Sequence, residues 1–220
     1  MPQIRNQSNV PANRTVVITA LIATILFLLI AADVVYGGGL TSLDFRINNW
    51  LHSHRTPGLI TFFVWVGRLH SSPFIIAATV AICVYLWSRR LRRWVLMIGI
   101  SALGGMLLNV VLKLMFARAR PHFDDPIVIL RTFSFPSGHA MTATVFYGAL
   151  CLLAIFRVVE WKSRALFVLP CLLMIALVGF SRMYLGAHYL TDVIGALFEG
   201  IAWVSLSLII AGVVRKEQRV

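Results

Sequence analysis

The stretch Lys113–His139, KLMFARARPHFDDPIVILRTFSFPSGH, is the longest polar interruption between two strongly apolar segments of the chain. It carries a lysine, three arginines, two histidines and a Ser-Gly pair just before a new apolar run. The runs on both sides are those of membrane helices, which makes it the connection between two spans. Backbone N–H groups at a helix start are unpaired, and the helix dipole favours negative charge there. A basic cluster leading into a Ser-Gly helix start is therefore an anion site in sequence form. The expectation is a phosphate group held at a membrane surface, with a later segment supplying the nucleophile.

The rest of the composition agrees. Of 220 residues, 59% are hydrophobic and only 13% charged, against about 25% charged in soluble domains. This is the make-up of an integral membrane protein with no separate soluble domain. Net charge is +12 and the sequence pI is about 10.8. Such a balance can signal nucleic acid, but here the cations flank apolar runs and no long basic soluble segment exists, so no nucleic-acid partner is expected. Cys83, Cys151 and Cys171 lie inside apolar runs without metal-type spacing, as buried thiols do. After Arg5 and Arg14 comes an apolar run long for a signal-peptide core and without a clear small-residue cleavage site. It reads as a retained first span.

The expected fold class is an all-α integral membrane protein of six transmembrane helices. The spans are Val16–Tyr36, Pro73–Trp87, Trp94–Phe116, Ala140–Phe156, Ala165–Phe180 and His188–Val213. Residues 40–71 repeat their apolar positions with helical spacing but are broken by Arg46, His52, His54, Arg55, Pro57, Arg68 and His70. They read as interfacial amphipathic helices between spans 1 and 2, with a tilted or re-entrant helix as the alternative. Residues 1–15 and 215–220 are expected as cytoplasmic tails around one membrane domain, 16–214. With the N-terminus inside, 12 of the 20 Lys and Arg fall in cytoplasmic tails and short loops, notably Arg89–Arg93 and Arg157–Arg164. The positive-inside rule favours this orientation. It puts the 113–139 stretch and the 181–188 loop on the same extracytoplasmic face.

Three segments carry chemistry. Lys113, Arg118 and Arg120 end the third span; each has an ordinary reading as a snorkelling or flanking cation, and together they can hold a phosphoryl group and offset its transition-state charge. Ser137-Gly138-His139 opens the fourth helix. Its plain reading is a serine N-cap, and the same geometry offers a hydroxyl and free N–H groups to an oxyanion, with His139 able to move a proton. Ser181-Arg182 precedes His188 and Asp192, which are four apart and expected on one helix face. A structural His–Asp hydrogen bond is one reading. The other is a carboxylate that sets the imidazole tautomer, as in a Ser-His-Asp triad but with histidine attacking. Only His188 has an in-register carboxylate, which suggests His188 as nucleophile and His139 as general acid. Lys113, Arg120 and Arg182 supply the positive charge, so no metal and no cofactor is expected.

Lys113-x6-Arg120-Pro121, Pro136-Ser137-Gly138-His139 and Ser181-Arg182-x5-His188-x3-Asp192 together resemble the tripartite signature of the type 2 phosphatidic acid phosphatase family. All signature positions are present, over residues 113–192. The resemblance implies metal-independent removal of phosphate through a phosphohistidine: His188 attacks, Asp192 orients it, and His139 protonates the leaving group. Lys113, Arg120, Ser137, Gly138 and Arg182 are implied to hold the phosphate oxygens. Family habit puts undecaprenyl diphosphate first as substrate, with phosphatidylglycerophosphate or phosphatidate next, in a bacterial inner membrane with the site facing the periplasm. A lipid phosphotransferase using the same residues, a vanadate-dependent haloperoxidase, and a non-catalytic membrane binding or transport protein are the competing readings. Asn109, Glu199 and Asp33 are polar residues within spans; a helix–helix hydrogen bond is the expectation for Asn109. His122 falls outside the signature.

Overall fold

A computed structural model describes residues 13–213, and within them the chain forms eight helices and no strand. Both expected tails lie almost wholly outside the described residues. The helices are α1 Asn13–Tyr36, α2 Gly39–Ser53, α3 Pro57–Leu69, α4 Ser72–Ser88, α5 Arg92–Phe116, α6 Gly138–Arg157, α7 Trp161–Tyr184 and α8 Leu190–Ile210. Five of them, α1, α5, α6, α7 and α8, are long and apolar enough to cross a bilayer alone. Large apolar side chains such as Leu21, Ile25, Leu29, Leu103, Leu107, Leu166 and Leu173 are exposed along them. Lipid is the solvent such a surface calls for.

The region 40–71 forms two helices. Helix α2 is amphipathic and buries only Asp44, Asn48 and Leu51, as an interfacial helix does. Helix α3 bends by 48° into α4 across a two-residue break, and the pair has the length and polarity of one broken span or of a re-entrant turn, the alternative expected here. Helix α3 buries Phe63, Val66 and Gly67 against α6 and α7. The break is polar but satisfied: His70 Nδ1 lies 2.8 Å from Val66 O and Nε2 2.7 Å from the Tyr147 hydroxyl.

Helix ends set up the site. Asp33, near the end of α1, accepts the Leu40 and Thr41 N–H groups at 3.2 and 2.8 Å and so caps α2 in place of a local side chain. Helix α5 stops at Ala117, which takes a left-handed φ of 44°. The loop that follows is clipped at its base, since Ser134 N–H donates to Arg118 O at 2.9 Å and Ser134 Oγ to Ala119 O at 3.0 Å. Phe135 plugs the loop into the bundle. Its ring is fully buried, stacks on Phe27 and meets Phe116 edge-on, with centroids 5.8 and 5.1 Å away. A Cβ on Gly195 would lie 2.6 Å from this ring, so α8 needs glycine there. Phe135→Ala is expected to cost about 3 kcal/mol or more through the cavity it leaves; a thermal melt in detergent that does not move would remove Phe135 as the anchor.

The ends of α5 and α7 and the starts of α6 and α8 meet at one end of the bundle. The basic turns Arg89–Arg93 and Arg157–Arg164 lie at the other, where Arg93 Nη1 donates to Gly212 O beyond α8 at 2.8 Å.

Candidate active site

Two corrections concern where the signature residues sit. Ser181 and Arg182 were expected in a loop, but α7 runs on through Tyr184 and carries both on its last turns. His188 was expected on the helix with Asp192. It lies in the turn before α8, whose N-cap is Tyr189. The pair forms all the same. Asp192 is the third residue of α8, and its Oδ2 reaches back to accept the Tyr189 N–H at 2.9 Å and to meet His188 Nδ1 at 3.2 Å. A carboxylate at this position of a helix commonly bonds backward to the cap. Here the backward reach also takes the imidazole.

The partners of His188 define its tautomer. Asp192 only accepts, so Nδ1 carries the proton. Arg120 only donates, and its Nη1 lies 3.1 Å from His188 Nε2, so Nε2 presents a lone pair. Burial pushes the His188 pKa down to about 4; Asp192 pulls upward, and Arg120 and Lys113 push further down. The ring is therefore neutral at neutral pH and its Nε2 is free to attack. Burial also lowers Arg120 from the ordinary arginine range, opposed by Asp192. Arg120 is fixed by Thr132 O at 2.6 Å, Phe133 O at 3.0 Å and Ala187 O at 2.7 Å.

The other signature residues gather around the same point. Lys113 Nζ donates to Phe133 O at 2.8 Å and Ser134 O at 3.2 Å. Its Cε lies 3.8 Å from where a Cβ on Gly138 would stand. Ser137 N–H donates to Asp192 O at 3.0 Å, tying the start of α6 to α8. Gly67 of α3 lets Arg182 come close: a Cβ there would lie 2.6 Å from Nη1. Ser137 Oγ and Arg182 Nε are buried with no hydrogen-bond partner among the described residues. Buried polar groups normally find partners, and two orphans among these cations fit a site built for an anion's oxygens. His139 lines a cavity of about 190 Å³ with His70, Ser72, Asn109, Gly138 and Thr142.

Three residues that the motifs did not single out join the site. Arg118, open from sequence as either a flank or a phosphate-holding cation and outside the signature, bridges two buried carboxylates: Nη1 to Asp192 Oδ1 at 2.6 Å and Nη2 to Asp44 Oδ2 at 2.8 Å. Burial works against its charge, but Asp192 and Asp44 outweigh it and hold Arg118 above the ordinary arginine range. Thr191 Oγ1 accepts from Arg118 at 2.7 Å and donates to Asp44. The available signal was Asp44 itself, an acid on the amphipathic segment of a chain with only 8 Asp and Glu. Asn109 makes the expected helix–helix bond, donating to Glu199 Oε2 at 3.0 Å.

The family model described as the PAP2 superfamily matches residues 93–215. Phosphatidylglycerophosphatase B of Bacillus subtilis (strain 168) is 30% identical over 183 residues, 82% of this chain and 89% of that protein. Undecaprenyl-diphosphatase BcrC of the same strain is 26% identical over 168 residues, 72% and 79% of the two chains. Among solved structures, the transmembrane PAP2-type phosphatidylglycerolphosphate phosphatase from Bacillus subtilis is similar with a TM-score of 0.80 at 28% identity, covering 91% of this chain and 99% of that one.

Proposed function

The chain belongs to the PAP2 superfamily, and from that premise we propose that it removes a phosphate from a membrane lipid through a phosphohistidine at His188. The observation that carries the proposal is the pair of partners of the His188 ring, Asp192 at Nδ1 and the Arg120 cation at Nε2. The Nε2 lone pair attacks phosphorus and forms the P–N bond. The P–O bond to the lipid breaks, and His139 gives its proton to the leaving oxygen. Lys113, Arg120 and Arg182, with Ser137 and the Gly138 N–H, hold the three phosphoryl oxygens as charge shifts onto them. His139 then takes a proton from water, the hydroxide attacks phosphorus, the P–N bond breaks, and inorganic phosphate leaves. The positive charge comes from side chains, and the proposed reaction draws on no metal.

The substrate class is a lipid mono- or diphosphate. Relatives named for phosphatidylglycerophosphate and for undecaprenyl diphosphate both support it. The coverage and TM-score of the former move phosphatidylglycerophosphate ahead of the diphosphate favoured from sequence. The site is proposed to face the periplasm of a bacterial inner membrane. The separation of the site from the basic turns Arg89–Arg93 and Arg157–Arg164 supports this.

The test is phosphate release by the purified protein in detergent, with a chelator present, from phosphatidylglycerophosphate, undecaprenyl diphosphate and phosphatidate. Turnover of at least one is expected. No release from any, or release that the chelator stops, overturns the proposal. A short-chain, membrane-impermeant analogue of the active lipid, added to intact cells that express the protein, should also be hydrolysed. If only broken cells hydrolyse it, the assigned face is wrong.

A further inference from the structure

The charged chain behind the nucleophile extends beyond the signature. Asp192 uses its two oxygens differently: Oδ2 holds the His188 ring and the Tyr189 N–H, while Oδ1 receives Arg118 at 2.6 Å. Arg118 in turn is gripped by Asp44, which comes from α2, outside all three motifs. Asp44 and Asp192 are both fully buried. Asp44 does a second job. Its Oδ1 accepts the Thr191 N–H at 3.0 Å, so it caps the start of α8 from another helix. A buried carboxylate–guanidinium–carboxylate row is costly to desolvate, and it is weak evidence for stability as such. Its geometry does one definite thing, which is to leave Asp192 Oδ2 facing His188 Nδ1.

We propose that Arg118 and Asp44 are positioning residues for the nucleophile: Asp44 aims Arg118 at Asp192, and Arg118 fixes the carboxylate that orients His188. Helix α2 thereby becomes part of the catalytic apparatus without touching the phosphate. The inference rests on His188 being the nucleophile.

The row also sets the charge that His188 feels. The groups acting on the ring are Asp192 on α8, Arg120 on the loop after α5, Lys113 on α5 and His139 on α6; Arg118 acts through Asp192, and Arg182 on α7 lies beside Arg120 and His139. Removing the Arg118 cation leaves the Asp192 charge less opposed, which favours a protonated imidazole. Removing the Asp44 charge leaves Arg118 less opposed, which disfavours it. The two substitutions therefore move the His188 titration in opposite directions. A role confined to holding α8 in place predicts no such opposition.

The experiment compares wild type, Arg118→Gln, Arg118→Lys and Asp44→Asn in detergent by two readouts. The first is the titration of the His188 ring by NMR with labelled histidine, assigned by its loss in His188→Ala. The second is kcat and KM for phosphate release. Expected for Arg118→Gln are a titration midpoint about one pH unit higher and a kcat about 100-fold lower with KM within threefold. Arg118→Lys should recover part of the kcat. Asp44→Asn, which keeps an oxygen for the Thr191 N–H, should move the midpoint downward. Unmoved midpoints, or midpoints that move the same way in Arg118→Gln and Asp44→Asn, overturn the inference. If Arg118→Gln does not fold, the downward shift in Asp44→Asn decides alone. The titration needs no turnover, so wild-type protein that releases no phosphate counts against the proposed function while the midpoints still judge the row.

Discussion

His188→Ala is expected to lose phosphate release by about 10⁴-fold or more, because it removes the atom proposed to form the covalent intermediate. No neighbour can replace it. Arg120 and Lys113 are cations, Asp192 is spent on backbone and guanidinium contacts, and His139 opens a different helix. The residual rate reflects only the held phosphate and its cations, which still stabilise charge. Binding should survive better than turnover, since the proposed holders of the oxygens, Lys113, Arg120, Ser137 and Arg182, remain. Rapid acid-free quenching should trap an alkali-stable, acid-labile phosphoryl group on wild type during turnover and none on the alanine variant. An alanine variant with tenfold-reduced activity and a trapped phosphoryl group would place the nucleophile elsewhere.

Asp192→Asn is expected to lower kcat by about 10³- to 10⁴-fold with little change in KM, as breaking the carboxylate–imidazole pair does in triads. The cause is the tautomer. The asparagine amide keeps its oxygen on Arg118, the stronger donor, and turns its NH2 toward His188. Nδ1 must then accept, the ring proton moves to Nε2, and the lone pair that should meet phosphorus is gone. The substitution also leaves Asp44 as the carboxylate that still balances the Arg118 charge. A thermal melt should accompany the kinetics, and kcat should fall by far more than the folded fraction does. Activity within threefold of wild type would mean that the His188–Asp192 bond is structural.

How much of this was readable from the sequence follows from the range of each interaction. The three motifs were legible because their chemistry demands rare residue types in a chain poor in polar residues. The long spans were legible from apolar length alone. The join of α3 to α4 was less so, because the polar interruptions of residues 40–71, His70 among them, left an interfacial and a re-entrant helix both open. In the fold His70 is answered by Tyr147 on α6, 77 residues away. The His188–Asp192 contact was expected for the wrong geometric reason. Spacing of four implied one helix face, whereas a capping carboxylate bonds backward to a residue outside the helix. Arg118 with Asp44 was invisible because the partners stand 74 residues apart and share no local pattern. Local periodicity reads local contacts, and the positioning of the nucleophile is a long-range affair.

The way Lys113 and Arg120 are moored has a consequence for divergence among related chains. Both cations hold main-chain oxygens of residues 132–134, with the Thr132 hydroxyl the one side-chain acceptor on that segment. Main-chain oxygens are the same whatever side chains a segment carries. Residues 122–131 can therefore drift in identity, and with them the surface shown to a headgroup, without disturbing either cation. Their number can drift too, because both ends of the loop are moored independently and an added residue between them bulges outward at small entropic cost.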